Sequence, residues 1–146
     1  TALVRIAVNG NQLYLKEETY TPIESADVLC NVVKPIVNES IVWCDSADQP
    51  PHTQSGGMVF ELQRSGVRAY KAKKWSGSIK YGIDVMKRFS LNIVKSENWK
   101  KEQSNYAWRK INGMEINEPT DEFNHLWDAS RYGCQMELSR RAGFTI

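Results

Sequence analysis

The chain has 146 residues, 41% of them hydrophobic and 25% charged, which is one ordinary globular domain and not a collagenous or low-complexity chain. Nineteen basic against seventeen acidic residues leave a net charge of only +2, so the chain as a whole is not a strongly basic nucleic-acid coat. Its three cysteines, Cys30, Cys44 and Cys134, have no CxxC spacing; they predict neither a disulfide framework nor a zinc site and suit a reducing cytosol.

Residues 2–8 and 12–20 are β-rich runs joined by Asn9-Gly10-Asn11, a strong hairpin signal because Asn and Gly tolerate positive φ. Thr21-Pro22 then predicts a helix to about Asn38, with Thr21 as cap and Pro35 as an early stop or kink. Residues 40–44 read as a short buried strand ending at Asp45. A turn at Asp48-Gln49-Pro50-Pro51 precedes a helix over 53–65, closed by Gly66. Residues 67–72 predict a strand, Ser76 or Ser78 caps a helix to about Phe89, and 91–94 predict another strand. Helices are expected over 98–109 and 121–139, with a turn at Asn112-Gly113 and a cap at Thr120 after Pro119. The order predicts an α/β sandwich with a mixed sheet. No apolar run is long enough to span a membrane and no signal peptide opens the chain, so a soluble intracellular protein is expected.

The charge is unevenly distributed. Residues 1–63 carry −5, residues 64–114 carry +10 and residues 115–146 carry −3. A positive middle between acidic ends suits a polyanion-binding surface beside a carboxylate cluster, although uneven solvation of surface helices gives the same pattern. Asp45 ends a buried strand, where α/β proteins present ligands. His125 and Asp128 lie three apart on one helix, with Asp121 one turn earlier, a stripe that suits Mg²⁺ or Mn²⁺ or, equally, a structural His–carboxylate pair. Between Arg64 and Lys80 the basic residues Arg68, Lys71, Lys73 and Lys74 occur with no acid, and the 74–78 turn offers main-chain N–H groups to phosphate. Trp99, Tyr106, Trp108 and Trp127 are expected in the core, and His52 on the surface.

These pieces together resemble a known family. Ile41-Val42-Trp43-Cys44-Asp45-Ser46-Ala47-Asp48 is similar to the strand and Asp-Ser-Ala-acid motif of phage terminase large-subunit nuclease domains. Ala72-Lys73-Lys74 and Gly77-Ser78-Ile79-Lys80-Tyr81-Gly82-Ile83 resemble that family's basic loop and helix start. Glu102, Tyr106, Trp108, Gly113, Asn117-Glu118-Pro119 and Asp121 follow in order, and residues 124–132 resemble its Asn-His-x-x-Asp-Ala-x-Arg-Tyr ending.

The resemblance implies a ribonuclease H-like mixed sheet flanked by helices, forming one nuclease domain over 1–146. The implied activity is metal-dependent cleavage of concatemeric double-stranded DNA during viral packaging, in the host cytoplasm. By resemblance Asp45, Asp128 and His125 form the catalytic set, with Asp121 and Asp48 as further metal donors and Lys71, Lys73, Lys74, Ser78 and Lys80 on DNA. The implied cofactors are two Mg²⁺ or Mn²⁺ ions, about 3.5–4 Å apart, which activate a water and stabilise the leaving oxygen. Implied partners are the portal protein, the terminase small subunit and the chain's own ATPase domain, for which no Walker sequence is present. The family's first strand, which carries a further Asp and is central to the sheet, would precede Thr1. Its absence predicts weak or no nuclease activity for residues 1–146 and an exposed edge that favours a homodimer. The alternatives are a non-catalytic DNA-gripping module on the same fold and another ribonuclease H-like nuclease of resolvase or transposase type.

Overall fold

A computed structural model describes residues 1–23, 25–45, 57–111, 113–119 and 123–141. Asp48, His52, Thr120 and Asp121 lie outside the described residues.

The first two elements are strands β1 (Ala2–Asn9) and β2 (Gln12–Tyr20), paired antiparallel from Asn9↔Gln12 to Ala2↔Tyr20. Gly10 opens the two-residue loop at φ 57°, a left-handed value that a side chain would strain. A register shift between Leu3 and Val4 marks a bulge near the far end. Leu13 and Leu15, two apart and therefore on one face, are fully buried, which fixes the register against a one-residue slip.

Helix α1 (Ala26–Val37) begins later than the Thr21-Pro22 signal predicts. The Thr21 N–H donates instead to the Thr1 carbonyl at 3.0 Å, so Thr21 closes the hairpin. Ser25 is the cap, its side chain accepting from the Val28 N–H at 3.4 Å. Pro35 sits within the last turn without stopping the helix. Leu29, Val33 and Val37 recur at helical spacing and are buried.

Strands β3 (Val42–Cys44) and β4 (Ala69–Lys71) pair in parallel, with α2 (Gly57–Arg64) preceding β4. Gly66, at φ 90°, ends the α2 segment as the sequence predicts. Leu29, Val33, Val37, Val42, Val59 and Leu62 form the core between α1, α2 and this pair.

Helix α3 (Ser78–Met86) starts after Gly77, which takes φ 84°, so a left-handed glycine stands at the cap where a serine is expected. Strand β5 (Ser90–Ile93) then pairs in parallel with β2, giving a mixed three-stranded ladder ordered β1-β2-β5. Helix α4 (Glu97–Asn105) is capped by Ser96, whose hydroxyl accepts from the Trp99 N–H at 3.1 Å. The helix expected over 98–109 therefore stops four residues early. Tyr106 is extended, and residues 108–111 belong to a hairpin of β6 (Trp108–Ile111) and β7 (Met114–Pro119).

Helix α5 (His125–Arg141) packs against β1, β3, α3 and α4. It spans both parallel-strand groups, and its Leu126 and Cys134 join Leu13, Leu15, Val85, Met86 and Trp99 in a second core. Trp99 is fully buried as expected, its ring edge-on to Trp127 at 5.1 Å. The architecture is α/β with a mixed sheet and helices around it. Among the described residues no helix is long and apolar enough to cross a membrane.

Candidate functional site

Parallel pairing brings two chain segments out of the fold at one point. Cys44 lies opposite Lys71, and the Ala72 N–H donates to the Cys44 carbonyl at 2.8 Å. Asp45 therefore leaves β3 beside the segment Ala72-Lys73-Lys74 that leaves β4. Carboxyl ends of parallel strands are where α/β folds hold ligands. Asp45 is ion-paired with Lys74 there.

Helix α5 covers this end with three side chains. The Tyr132 hydroxyl donates to Asp45 Oδ2 at 3.3 Å, and Gln135 Nε2 donates to the Lys73 carbonyl at 2.9 Å. Arg131 is only 3% exposed and lies over the Tyr132 ring, its guanidinium 4.3 Å from the centroid. It also donates to Asp128 Oδ1 at 3.0 Å across one helical turn. A continuous polar chain thus runs Asp45, Tyr132, Arg131, Asp128, linking the two acids of highest interest through α5. His125 is exposed, with its ring tilted against Tyr20 at 5.9 Å.

The start of α5 is held by a side chain from another helix. Glu102 of α4, 1% exposed, accepts from the Leu126 N–H at 2.9 Å and the Trp127 N–H at 3.3 Å. A carboxylate at this position satisfies orphan first-turn donors and complements the helix dipole. Gly82 sets the approach of α3. A methyl group there would stand 2.4 Å from Arg131 Cγ, so the absence of a side chain makes room for the arginine stem.

The charges follow from these contacts. Partial burial works against the Lys74 ammonium, but its bonds to Asp45 and Tyr132 outweigh that and hold its pKa above the usual lysine range. Burial likewise opposes the Arg131 charge and is outweighed by Asp128. Tyr106 is pushed up to about 12, first by burial and then by the Asp128 charge. Cys134 is pushed up to about 12 by burial, which makes it an inert core thiol.

As a metal centre the described residues fall short. They contain no group of three or more His, Cys, Asp and Glu side chains placed to hold an ion. Asp45 and Asp128 are instead each engaged by a cationic side chain. The donors as arranged do not fit a divalent ion without exchange of those partners and further ligands.

The basic segment borders the same end. Lys71 and Lys73 are exposed, and Lys80 is bonded to Asp84 at 2.7 Å. Ser78, expected on DNA, is 5% exposed, and its N–H donates to the Trp75 carbonyl at 3.0 Å. Trp75, 49% exposed, and Tyr81, 36% exposed, pair on the surface with ring centroids 5.6 Å apart. Exposed rings among lysines suit a nucleic-acid surface. In the sequence this pair is marked only by the position of Trp75 next to Lys73 and Lys74. Arg131, Tyr132 and Gln135, which follow Asp128 on the next two turns of α5, join the site only through the way that helix crosses β3 and β4.

Compared with known protein families, curated proteins and solved structures, the chain matches none.

Proposed function

We propose that this chain is the nuclease domain of a viral DNA-packaging terminase, acting on phosphodiesters of double-stranded DNA on a ribonuclease H-like fold. The observation that supports the reading is the junction of Asp45 and Asp128 through Tyr132 and Arg131. It lies at the carboxyl ends of β3 and β4, beside exposed Lys71 and Lys73. Acids of this kind serve phosphodiester chemistry when divalent ions neutralise them, and the flanking lysines grip the backbone. Were Mg²⁺ or Mn²⁺ bound, Asp45 and Asp128 would be the residues to hold it, in exchange for their present partners Lys74 and Arg131, and the ion would supply activation of water and charge neutralisation.

One observation favours a second reading, a DNA-gripping module without catalysis. Both acids already hold cationic partners, so they need no ion to be neutral as a pair. Plasmid nicking with Mn²⁺ separates the two. The nuclease reading expects Mn²⁺-dependent nicking that disappears in Asp45→Asn and Asp128→Asn. Duplex binding without nicking would replace it with the gripping reading, and no duplex binding would sink both.

A further inference from the structure

Trp99 is fully buried, but Trp75 stands about half in water and Tyr81 is exposed beside it. A single exposed ring needs no explanation, since much of any folded surface is apolar. Here two rings pair in water, at the end of a stretch, residues 64–80, that is rich in Lys and Arg and holds no Asp or Glu. The backbone fixes both of them. The Ser78 N–H donates to the Trp75 carbonyl at 3.0 Å, closing the turn ahead of α3, and Gly77 takes φ 84° within it. The Tyr81 N–H donates to the Gly77 carbonyl at 3.0 Å in the first turn of that helix. The indole therefore rests against a ring carried by a regular helix. The two planes meet at 54°, so neither ring covers the other face to face.

The neighbouring charges narrow the ligand. Lys71, Lys73 and Lys74 precede Trp75 by at most four residues and are exposed. Lys80 is engaged by Asp84 and is left aside. Lys74 is ion-paired with Asp45, and its Cα lies about 3.8 Å along the chain from that of Trp75, so the ring sits at the edge of the acid site. An acidic peptide would satisfy the lysines and offer the indole no flat face. A nucleotide carries both a phosphate and a flat π-face, and stacking adds to the phosphate contacts. Within an intact duplex each base is already covered by its neighbours above and below. Only an unpaired base is free to stack on protein.

We infer that Trp75 is a stacking platform for one unpaired nucleobase of a DNA strand, with Tyr81 as its brace and Lys71 and Lys73 on the flanking phosphates. The helix-borne brace holds the indole in place before the base arrives, so little side-chain freedom is lost on binding. The inference rests on the nuclease reading for DNA as the ligand and deepens it. It names the form of substrate that the site prefers, a strand with an unpaired base beside Asp45, over fully paired duplex.

Anisotropy of end-labelled DNA titrated with the 146-residue chain tests it. The probes are a short oligothymidylate, the same strand built wholly of abasic sites, and a blunt duplex. The abasic strand keeps the phosphates and removes the bases. The parent chain is expected to bind oligothymidylate at least about fivefold more tightly than the abasic strand. Unlabelled oligothymidylate is also expected to quench tryptophan emission, and the abasic strand to leave it unchanged. Trp75→Ala, with far-UV circular dichroism retained, is expected to bind both strands at the abasic level, and Trp75→Phe to recover part of the preference. Lys71→Ala is expected to weaken both strands alike. Equal affinity of the parent for the two strands, or a preference that survives Trp75→Ala, overturns the inference; duplex binding in that case leaves the nuclease reading standing. Base-dependent strand binding without duplex binding keeps the inference and sinks the duplex reading. Trp75-dependent binding to phosphatidylglycerol vesicles, with no preference between the strands, would make the pair a membrane contact and overturn the inference. Failure to bind any of the three DNA probes overturns both.

Discussion

Glu102→Ala removes the carboxylate that accepts from the first-turn N–H groups of α5, with Leu126 at 2.9 Å and Trp127 at 3.3 Å. Leu126 is fully buried and Glu102 is 1% exposed, so water does not replace the lost acceptor. Each buried donor left unsatisfied costs about 1–3 kcal/mol. Loss of a negative charge from a helix N-terminus adds about 1 kcal/mol. Two such donors and the dipole together give an expected loss of about 3–7 kcal/mol, a large share of a small domain's stability. Glu102→Gln keeps one neutral acceptor oxygen, with an expected cost of about 1–2 kcal/mol. Urea unfolding followed by tryptophan fluorescence reads both, and Trp99 and Trp127 lie beside the change. The variants should differ in midpoint and share the native slope. A Glu102→Ala chain within about 0.5 kcal/mol of the parent would refute the capping argument.

Three further outcomes follow from other parts of the fold. Gly82→Ala places a methyl 2.4 Å from Arg131 Cγ, whose guanidinium is fixed by Asp128, whereas Gly133→Ala meets the terminal methyl of Ile6, which borders a cleft. Overpacking should cost the first about 2 kcal/mol net, while the gain in helix propensity keeps the second within about 0.5 kcal/mol, both by urea unfolding. Tyr106 and Cys134, each pushed up to about 12, ionise more readily unfolded; their contribution is whole below pH 9 and is lost as pH rises towards 12. Unfolding midpoints between pH 8 and 11 should fall more gently in a Cys134→Ala chain than in its parent, relative to each chain's value at pH 8 (about neutral to mildly alkaline conditions, where the thiol is un-ionised). Lys73→Ala should weaken duplex binding evenly across sequences and reduce the salt slope by about 0.9, read by fluorescence anisotropy; an unchanged slope would remove Lys73 from the interface.

The amount of structure legible in the sequence differs from element to element. The first hairpin was legible because Gly10 answers a purely local demand for positive φ. At Asn112-Gly113 the sequence predicts only a turn, and the helix expected over 98–109 runs across what is β6. Tyr106 and Trp127 pack ring to ring at 5.3 Å, a tertiary contact that helical spacing imitates. Thr21-Pro22 satisfied the local rule for a helix start, but the hydrogen bond to Thr1, twenty residues away in the chain, keeps Thr21 with the hairpin. Asp45 and Asp128 were visible as acids in suggestive places. Their connection through Tyr132 and Arg131 was not, because it depends on where α5 crosses the ends of β3 and β4. The pairing of Asp45 with a cation was not legible either, since Lys74 reaches it only through the parallel register of two short strands, whereas Asp128 and Arg131 are three apart on one helix.

The proposed nuclease function requires Asp45 and Asp128 to exchange their cationic partners for a divalent ion when DNA is bound. The most direct measurement is a calorimetric titration of Mn²⁺ into the chain bound to duplex DNA, repeated with Asp45→Asn and Asp128→Asn. The account predicts saturable Mn²⁺ uptake in the parent complex, weakened at least tenfold by either substitution while duplex affinity is retained. Duplex binding with no Mn²⁺ uptake, or uptake indifferent to both substitutions, would contradict it.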